Sequence, residues 1–593
     1  MIESTPTAND DLQGRRYWRS LHEYSNSPEL LEKIAQEFPD YDPDELLGMS
    51  RRKFMKLAGA SMALAGLTLT GCRRWPKEKV VAHNARPEGT LPGVPEMYAS
   101  MVQRNGVAHG VFVTSFDGRP IHVAGNPLHP IVGDPKRYAE GDLKMGAADA
   151  FTIASILDMY DPDRSRSVYR YSGQDGVRDR KRSTWADFEE ATADLNADAK
   201  IAVLSEANTG PAFGDVKKRF LKHFPNATLT TWEALHRDNE IRGSALAFGQ
   251  SMRAQYDVSK AMTIASFDSN FLGDHAAAAK HARGWAKNRK SCDEGVMSRV
   301  YAVGPALDQT SSNADVHMQV KPSAIPAMLE ALASAIGVAG LQVTPDLDDA
   351  QSFFVEKLAK DLKANQGASL VVVGPGQPAS VHALAWSINE TLGNLGQTVS
   401  LTEEPAAEDG LCVDGIANLV DQMNAGEVDA LLILGGNPVF DAPADLGFAA
   451  ALGEVGNSIH LALYENETSA SCDWHLPEAH YLETWGDGRA WDGTICLQQP
   501  LIEPVFGGKS AIEVLALLAH DDATAGYDLV RRAWTPAIKA GQYDVSTSSW
   551  PGGPIDTSAE RAWRAAVHDG LLAGTAFPVV SAQTQGATAT GVS

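Results

Sequence analysis

Short runs of consecutive apolar residues alternate along this chain with longer stretches in which apolar residues recur every three or four positions. The runs at 201–204, 261–267, 369–374 and 430–435 read as buried strands, too short and too uniformly apolar for amphipathic helices. The stretches at 185–195, 213–223 and 379–392 read as helices, and further helices are predicted over 146–158 and 510–518. This rhythm predicts an α/β, multi-domain body with parallel sheets flanked by helices. Nearer the N-terminus, apolar runs at 110–114 and 121–123 bracket Asp117-Gly118, the pattern of two strands around a tight turn. They predict a small N-terminal β-rich region.

The first ninety residues follow a different rule. Residues 1–49 are polar and acidic, and Leu30, Leu31, Ile34 and Phe38 fall at helical spacing before Pro39 and Pro43. Arg51-Arg52 then precedes a weakly apolar run over 57–69 that closes on Leu69-Thr70-Gly71-Cys72. A cationic head, a short apolar run and a small-residue exit are the parts of an export signal. At 1.5 Å per helical residue the run is short for roughly 30 Å of hydrocarbon. The ending resembles a bacterial lipobox, which would place diacylglycerol on the Cys72 thiol. Residues 73–100 are rich in Pro, Lys and Glu and predict an extended strap. The resulting divisions are an extension (1–49), a twin-arginine signal (50–72), a strap with a small β-rich domain (73–170), two α/β domains (171–340 and 341–510), a C-terminal helical part (511–582) and a flexible tail (583–593).

Composition narrows the function. A net charge of −24 over 593 residues argues against a nucleic-acid surface. Apart from Cys72, the cysteines Cys292, Cys412, Cys472 and Cys496 lie far apart, and no C-x-x-C occurs. Spacing therefore offers neither an iron–sulfur nor a zinc site. His475, Glu478, His480 and Glu483 hold metal-ligating groups, but their order is not H-E-x-x-H and Pro477 interrupts the helix such ligands need. No metal site is predicted. Two strand ends carry Gly-rich loops, Gly374-Pro375-Gly376 and Gly435-Gly436-Asn437-Pro438, where open α/β sheets hold ligands.

Several landmarks occur in order: Gly125-Asn126-Pro127 with His129-Pro130, Tyr160-Asp161-Pro162-Asp163-Arg164, Gly435-Gly436-Asn437-Pro438, and Leu476-Pro477 through Trp485-Gly486-Asp487 to Gln499-Pro500. Together they resemble the molybdopterin oxidoreductase superfamily. More narrowly, Tyr17-Trp18-Arg19, the delayed signal, Cys72-Arg73-Arg74-Trp75-Pro76 and the stretch from Leu501 to Ser510 resemble the large molybdopterin-like subunit of bacterial alternative complex III, a quinol:electron-acceptor oxidoreductase. The resemblance runs from about residue 17 to about 575.

The departures set the functional expectation. Active members carry a cysteine cluster before the Gly-Asn-Pro loop, whereas residues 73–124 contain no cysteine. In the loop that presents a metal ligand, 235–240, Asp238 is the single oxygen candidate, and a surface salt bridge is its alternative reading. The terminal domain that clamps the pterin and the iron–sulfur half are expected to be missing. The resemblance therefore implies a non-catalytic scaffold with no cofactor of its own and no catalytic residue. Gly435, Gly436, Asn437 and Pro438 would be a vestigial pterin loop. The expected partners are an iron–sulfur ferredoxin-like subunit, multihaem cytochrome c subunits and polytopic quinol-oxidising membrane subunits. Arg51 and Arg52 would direct export and Cys72 would anchor the body by lipid at the periplasmic face of the bacterial inner membrane. Two rivals stay open: an active molybdopterin-dependent reductase of a small oxyanion or sulfur compound, with Gly435, Asn437 and Pro438 on the pterin, and a free lipoprotein using the old cleft for another ligand.

Overall fold

Four of the predicted apolar runs become strands of two largely parallel sheets in the computed structural model. It describes Pro28, Leu91 and residues 93–585, apart from 174–177, 194, 291–296, 342–345, 407–409 and 540–557. Arg51, Arg52, Cys72 and the predicted helix beside Phe38 lie outside the described residues.

The larger sheet has seven strands in the order Asp179–Arg182, Tyr169–Ser172, Trp474–Pro477, Ser458–Ala462, Ala430–Leu434, Ile201–Ser205, Thr228–Thr231. The last five are mutually parallel, and Tyr169–Ser172 runs antiparallel to its neighbours on both sides. Parallel strands buried on both faces need apolar side chains at every position, which is why the sequence shows runs rather than alternation. Ile201 and Val203 face Phe213, Val216 and Phe220 of the helix Pro211–His223, together with Trp534 and Trp563. Ala202 and Leu204 face the opposite layer, Ile416 and Leu419 of the helix Cys412–Asn424. The second sheet, Val316–Gln319, Arg299–Gly304, Thr263–Phe267, Ser369–Val373, is parallel throughout. Phe267, Val303 and Val371 pack on Leu329 and Leu332 of the helix Ile325–Ile336.

Each sheet draws strands from both sides of residue 340, so the division into 171–340 and 341–510 does not describe the sheets. Periodicity identifies a strand but not its partner, and here the partners lie far along the chain.

The N-terminal β-rich region is a three-stranded antiparallel meander, Glu96–Arg104, Val107–Phe116 and Arg119–Gly125. Asp117 (φ 49°) and Gly118 (φ 80°) make its tight turn, as their sequence predicts. The first strand begins within the stretch read as an extended strap. Its full-length pairing with Val107–Phe116 fixes it where local alternation is weak. The C-terminal part is helical over Ala511–Leu518, Gly526–Lys539 and Ser558–Asp569, then returns as a short strand, Leu571–Leu572, beside Ile495–Gln498. The expected flexible tail is pinned at its start. The backbone N–H of Gln585 donates to the Ala247 carbonyl at 2.8 Å, and Thr584 bonds to Glu390.

A buried ionic clasp joins distant segments. Glu404, fully buried, accepts from Arg253 Nε and Arg237 Nη2, each at 3.1 Å. The two guanidiniums lie 4.6 and 4.7 Å from the Trp491 ring centre, and Trp491 Nε1 donates to the Ala254 carbonyl. Burial alone would push the Glu404 carboxyl up, but both guanidiniums outweigh it and hold it at about 2. Removing one member of such a set strands a buried charge, at a cost of about 3–5 kcal/mol. Glu404→Ala is therefore expected to lower the thermal unfolding midpoint by several degrees. Arg242→Ala, in the exposed pair with Asp414, is expected to shift it by less than about one degree. Circular dichroism melts of the two variants check this.

Candidate functional site

The parallel pairing of Ala430–Leu434 with Ile201–Ser205 sets two loops side by side at the C-terminal edge of the seven-stranded sheet. The strand order reverses here: Thr228–Thr231 lies on one side of Ile201–Ser205 and Ala430–Leu434 on the other. Open α/β sheets form their ligand crevice at such a point. A cavity of about 320 Å³ lies here, between the sheet edge, the meander and the segment 478–512.

Three glutamates line it, Glu206, Glu233 and Glu478, together with Asp487. Glu206 follows the strand directly and keeps solvent contact through the cavity, although protein surrounds it. Burial raises its carboxyl, the charge of Asp441 adds to this, and the Gly436 N–H opposes it. Burial, then the charge of Glu206, pushes Glu233 and Glu478 up to about 8. Glu233 accepts the Ala207 N–H at 2.9 Å. Among the described residues no Lys or Arg forms an ion pair with any of the three. Arg104 in the same wall is held by Asp149 at 2.7 Å, and Arg164 by Glu483 at 2.7 Å with both side chains 1% exposed.

Gly435-Gly436-Asn437-Pro438 closes against this cavity. Gly435 sits at φ 79°, and any side chain there would meet the Glu206 carboxylate, so the close approach requires glycine. The loop's polar groups are committed inside the protein. Gly436 N–H lies close enough to Glu206 to favour its charged form. Asn437 Oδ1 accepts from Thr468 Oγ1 at 2.8 Å, and its Nδ2 donates to Glu467 at 2.7 Å. Pro438 starts the short helix Pro438–Asp441. A second anion-friendly feature, the N-terminus of the helix Pro211–His223, is also taken. Asp487 accepts the Ala212 N–H at 3.0 Å and the Trp534 indole N–H. Burial outweighs these bonds and raises the Asp487 carboxyl to about 7.

An anionic pterin dinucleotide would therefore meet carboxylates where it needs N–H donors and cations. These residues do not suit it.

The other motifs act as joints. Asn126 Nδ2 donates to the Asp569 carbonyl at 2.7 Å, and Gln499 Nε2 reaches the Val567 carbonyl at 2.8 Å, tying the meander to the C-terminal helices. Arg164 and Glu483 join the Asp161-Pro162-Asp163-Arg164 turn to the segment after Pro477. Asp238 is neither on the surface nor open to a ligand. It is buried and accepts the Cys412 and Val413 N–H groups at 3.1 and 3.0 Å, capping the helix Cys412–Asn424. His475 lies in a strand against Ser165 and His480 bonds the Ser155 carbonyl, so they do not converge with Glu478. Among the described residues no group of three His, Cys, Asp or Glu side chains is placed to hold a metal ion. Cys412, Cys472 and Cys496 are free thiols, and Cys292 lies outside the described residues. Sequence reading missed Glu206 and Glu233. The one signal for Glu206 was its place directly after an apolar run.

No family model matches the chain. Over 476 residues it is 24% identical to the menaquinone reductase, molybdopterin-binding-like subunit, of Nitratidesulfovibrio vulgaris. The match covers 73% of this chain and 65% of that protein, so the chain spans just under two thirds of its relative's length. Among solved structures, acetylene hydratase from Pelobacter acetylenicus aligns with 71% of this chain and 69% of its own, at a TM-score of 0.49 and 12% identity. The sequence relative agrees with the molybdopterin-oxidoreductase resemblance carried by the motifs.

A carboxyl raised on folding makes the folded state the stronger proton binder, so stability falls as pH rises between the unfolded and folded values. For Glu478 that window runs from the ordinary carboxylate range up to about 8. Glu478→Gln is expected to leave stability unchanged near pH 4. At pH 9 it should raise stability by on the order of 2 kcal/mol, discounted for water in the cavity. Denaturant melts at the two pH values check the sign.

Proposed function

We propose that this chain is a non-catalytic scaffold subunit of a quinone-linked respiratory oxidoreductase of the alternative complex III kind. The carrying observation is that both anion-friendly features of the crevice are closed by the chain's own carboxylates, Glu206 against the Gly435-Gly436 turn and Asp487 on the helix N-terminus. In pterin enzymes the redox chemistry belongs to the cofactor, and the protein supplies its holder. A holder already filled with carboxylates leaves the chain its other resource, a large α/β body with surfaces for partners. The relative, itself described as molybdopterin-binding-like within a menaquinone reductase, supports the same reading.

In this role the chain carries no electrons. It positions an iron–sulfur ferredoxin-like subunit and multihaem cytochrome c subunits over polytopic membrane subunits that exchange electrons with quinol. Arg51 and Arg52 direct export, and diacylglycerol on Cys72 holds the body at the periplasmic face of the inner membrane. One acyl chain binds a bilayer only marginally, whereas two or more hold it stably.

Two measurements test the proposal. The full chain, separated from its partners, is expected to contain molybdenum far below one atom per chain by mass spectrometry, and stoichiometric molybdenum would overturn the reading. When expressed without its partners, wild-type chain is expected in the membrane fraction and Cys72→Ser in the soluble fraction. Equal partitioning of the two would remove the lipid anchor.

A further inference from the structure

The crevice poses a physical problem. Three glutamates face one cavity, and among the described residues no Lys or Arg side chain forms an ion pair with them. The nearby guanidiniums of Arg104 and Arg164 are engaged by Asp149 and Glu483. Ser205 in the same wall is 4% exposed, and its Oγ has no hydrogen-bond partner. A buried hydroxyl left unpaired and carboxylates crowded together without a counter-charge both cost free energy. A donor-rich cation entering the cavity would relieve both.

We infer that the cavity lined by Glu206, Glu233, Glu478 and Ser205 is a receptor for an ammonium or guanidinium group carried on an apolar stem. The remaining wall suits that ligand. Tyr481, Trp485 and Phe213 offer aromatic and apolar surface, and aromatic faces attract nitrogen cations. Gln103, Asn208 and Gln498 supply amide oxygens as further acceptors. The volume of about 320 Å³ lies at the small end of the range for organic ligands. A bare metal ion is the poorer fit, because among the described residues no three acidic, His or Cys side chains converge with ligating geometry. A nitrogen cation spreads its charge over several N–H donors and needs no such convergence.

This inference rests on the reading that the crevice is not a pterin holder. It adds that the acidic lining has a use of its own. The cation has two possible sources, a free amine or a Lys or Arg side chain of a partner subunit, and the chemistry at the carboxylates is the same.

The test is calorimetric titration of the full chain with agmatine, which carries a guanidinium and an ammonium on a short alkyl stem. Saturable one-site binding is expected. The double variant Glu206→Gln/Glu478→Gln is expected to weaken it roughly tenfold or more, the worth of a charge-assisted hydrogen bond. Ser205→Ala removes one acceptor without adding an atom, and should weaken binding several-fold; it carries the test if the double variant does not fold. The same titration on the intact complex separates the sources. Binding there as well assigns the site to a free amine, and its loss there assigns the site to a partner's side chain. Absence of binding by the isolated chain, or equal affinity in wild type and folded variants, overturns the inference. Molybdenum measured on the same sample reports on the scaffold reading independently.

Discussion

One parallel pairing, Ala430–Leu434 beside Ile201–Ser205, fixes the geometry on which the crevice depends. It closes a chain excursion of more than two hundred residues and brings Gly435 onto Glu206. The second sheet folds inside that excursion, with Arg299–Gly304 and Thr263–Phe267 as its central pair and Ser369–Val373 at its edge. The cost of closing so long a loop grows only slowly with its length. Four of the five parallel strands are buried along their length and supply the apolar burial that offsets it.

The molecule treats buried charge in two ways. Where charges hold segments together they are paired: Arg253 and Arg237 share Glu404, and Arg164 meets Glu483 through two hydrogen bonds. At the sheet edge the opposite holds, and the charge of Glu206 raises the proton affinity of Glu233 and Glu478. A fold optimised for stability alone would replace those three with neutral side chains. Their presence marks the crevice as a place where stability and function diverge, the pattern expected of a site.

Much of the fold was legible because burial on both faces leaves continuous apolar runs. Residues 201–204, 369–374 and 430–435 became strands within a residue of their predicted limits. The turn at Asp117-Gly118 was legible because only a few residues tolerate positive φ. The sheet partners were not legible, since an apolar run carries no address. Glu206 and Glu233 were hidden for a related reason: a single acidic residue after a strand looks like any solvated loop. Asp238 misled for the same reason. Its carboxylate caps a helix that begins at Cys412, more than one hundred and seventy residues away. The Gly435-Gly436-Asn437-Pro438 loop was correctly placed at a strand end, but the carboxylate beneath it gives that loop a different meaning.

The interleaved sheets bear on how the protein is made. Ile201–Ser205 leaves the ribosome long before Ala430–Leu434 is synthesised, so one flank of a very apolar strand stays unpaired through that interval. At ordinary synthesis rates of about 5–20 residues per second, the wait is roughly 10–45 seconds. An open apolar edge of that duration invites wrong pairing. The nascent chain is thus a natural client for a holding chaperone, and a cut near residue 340 would leave two pieces that each lack strands of both sheets.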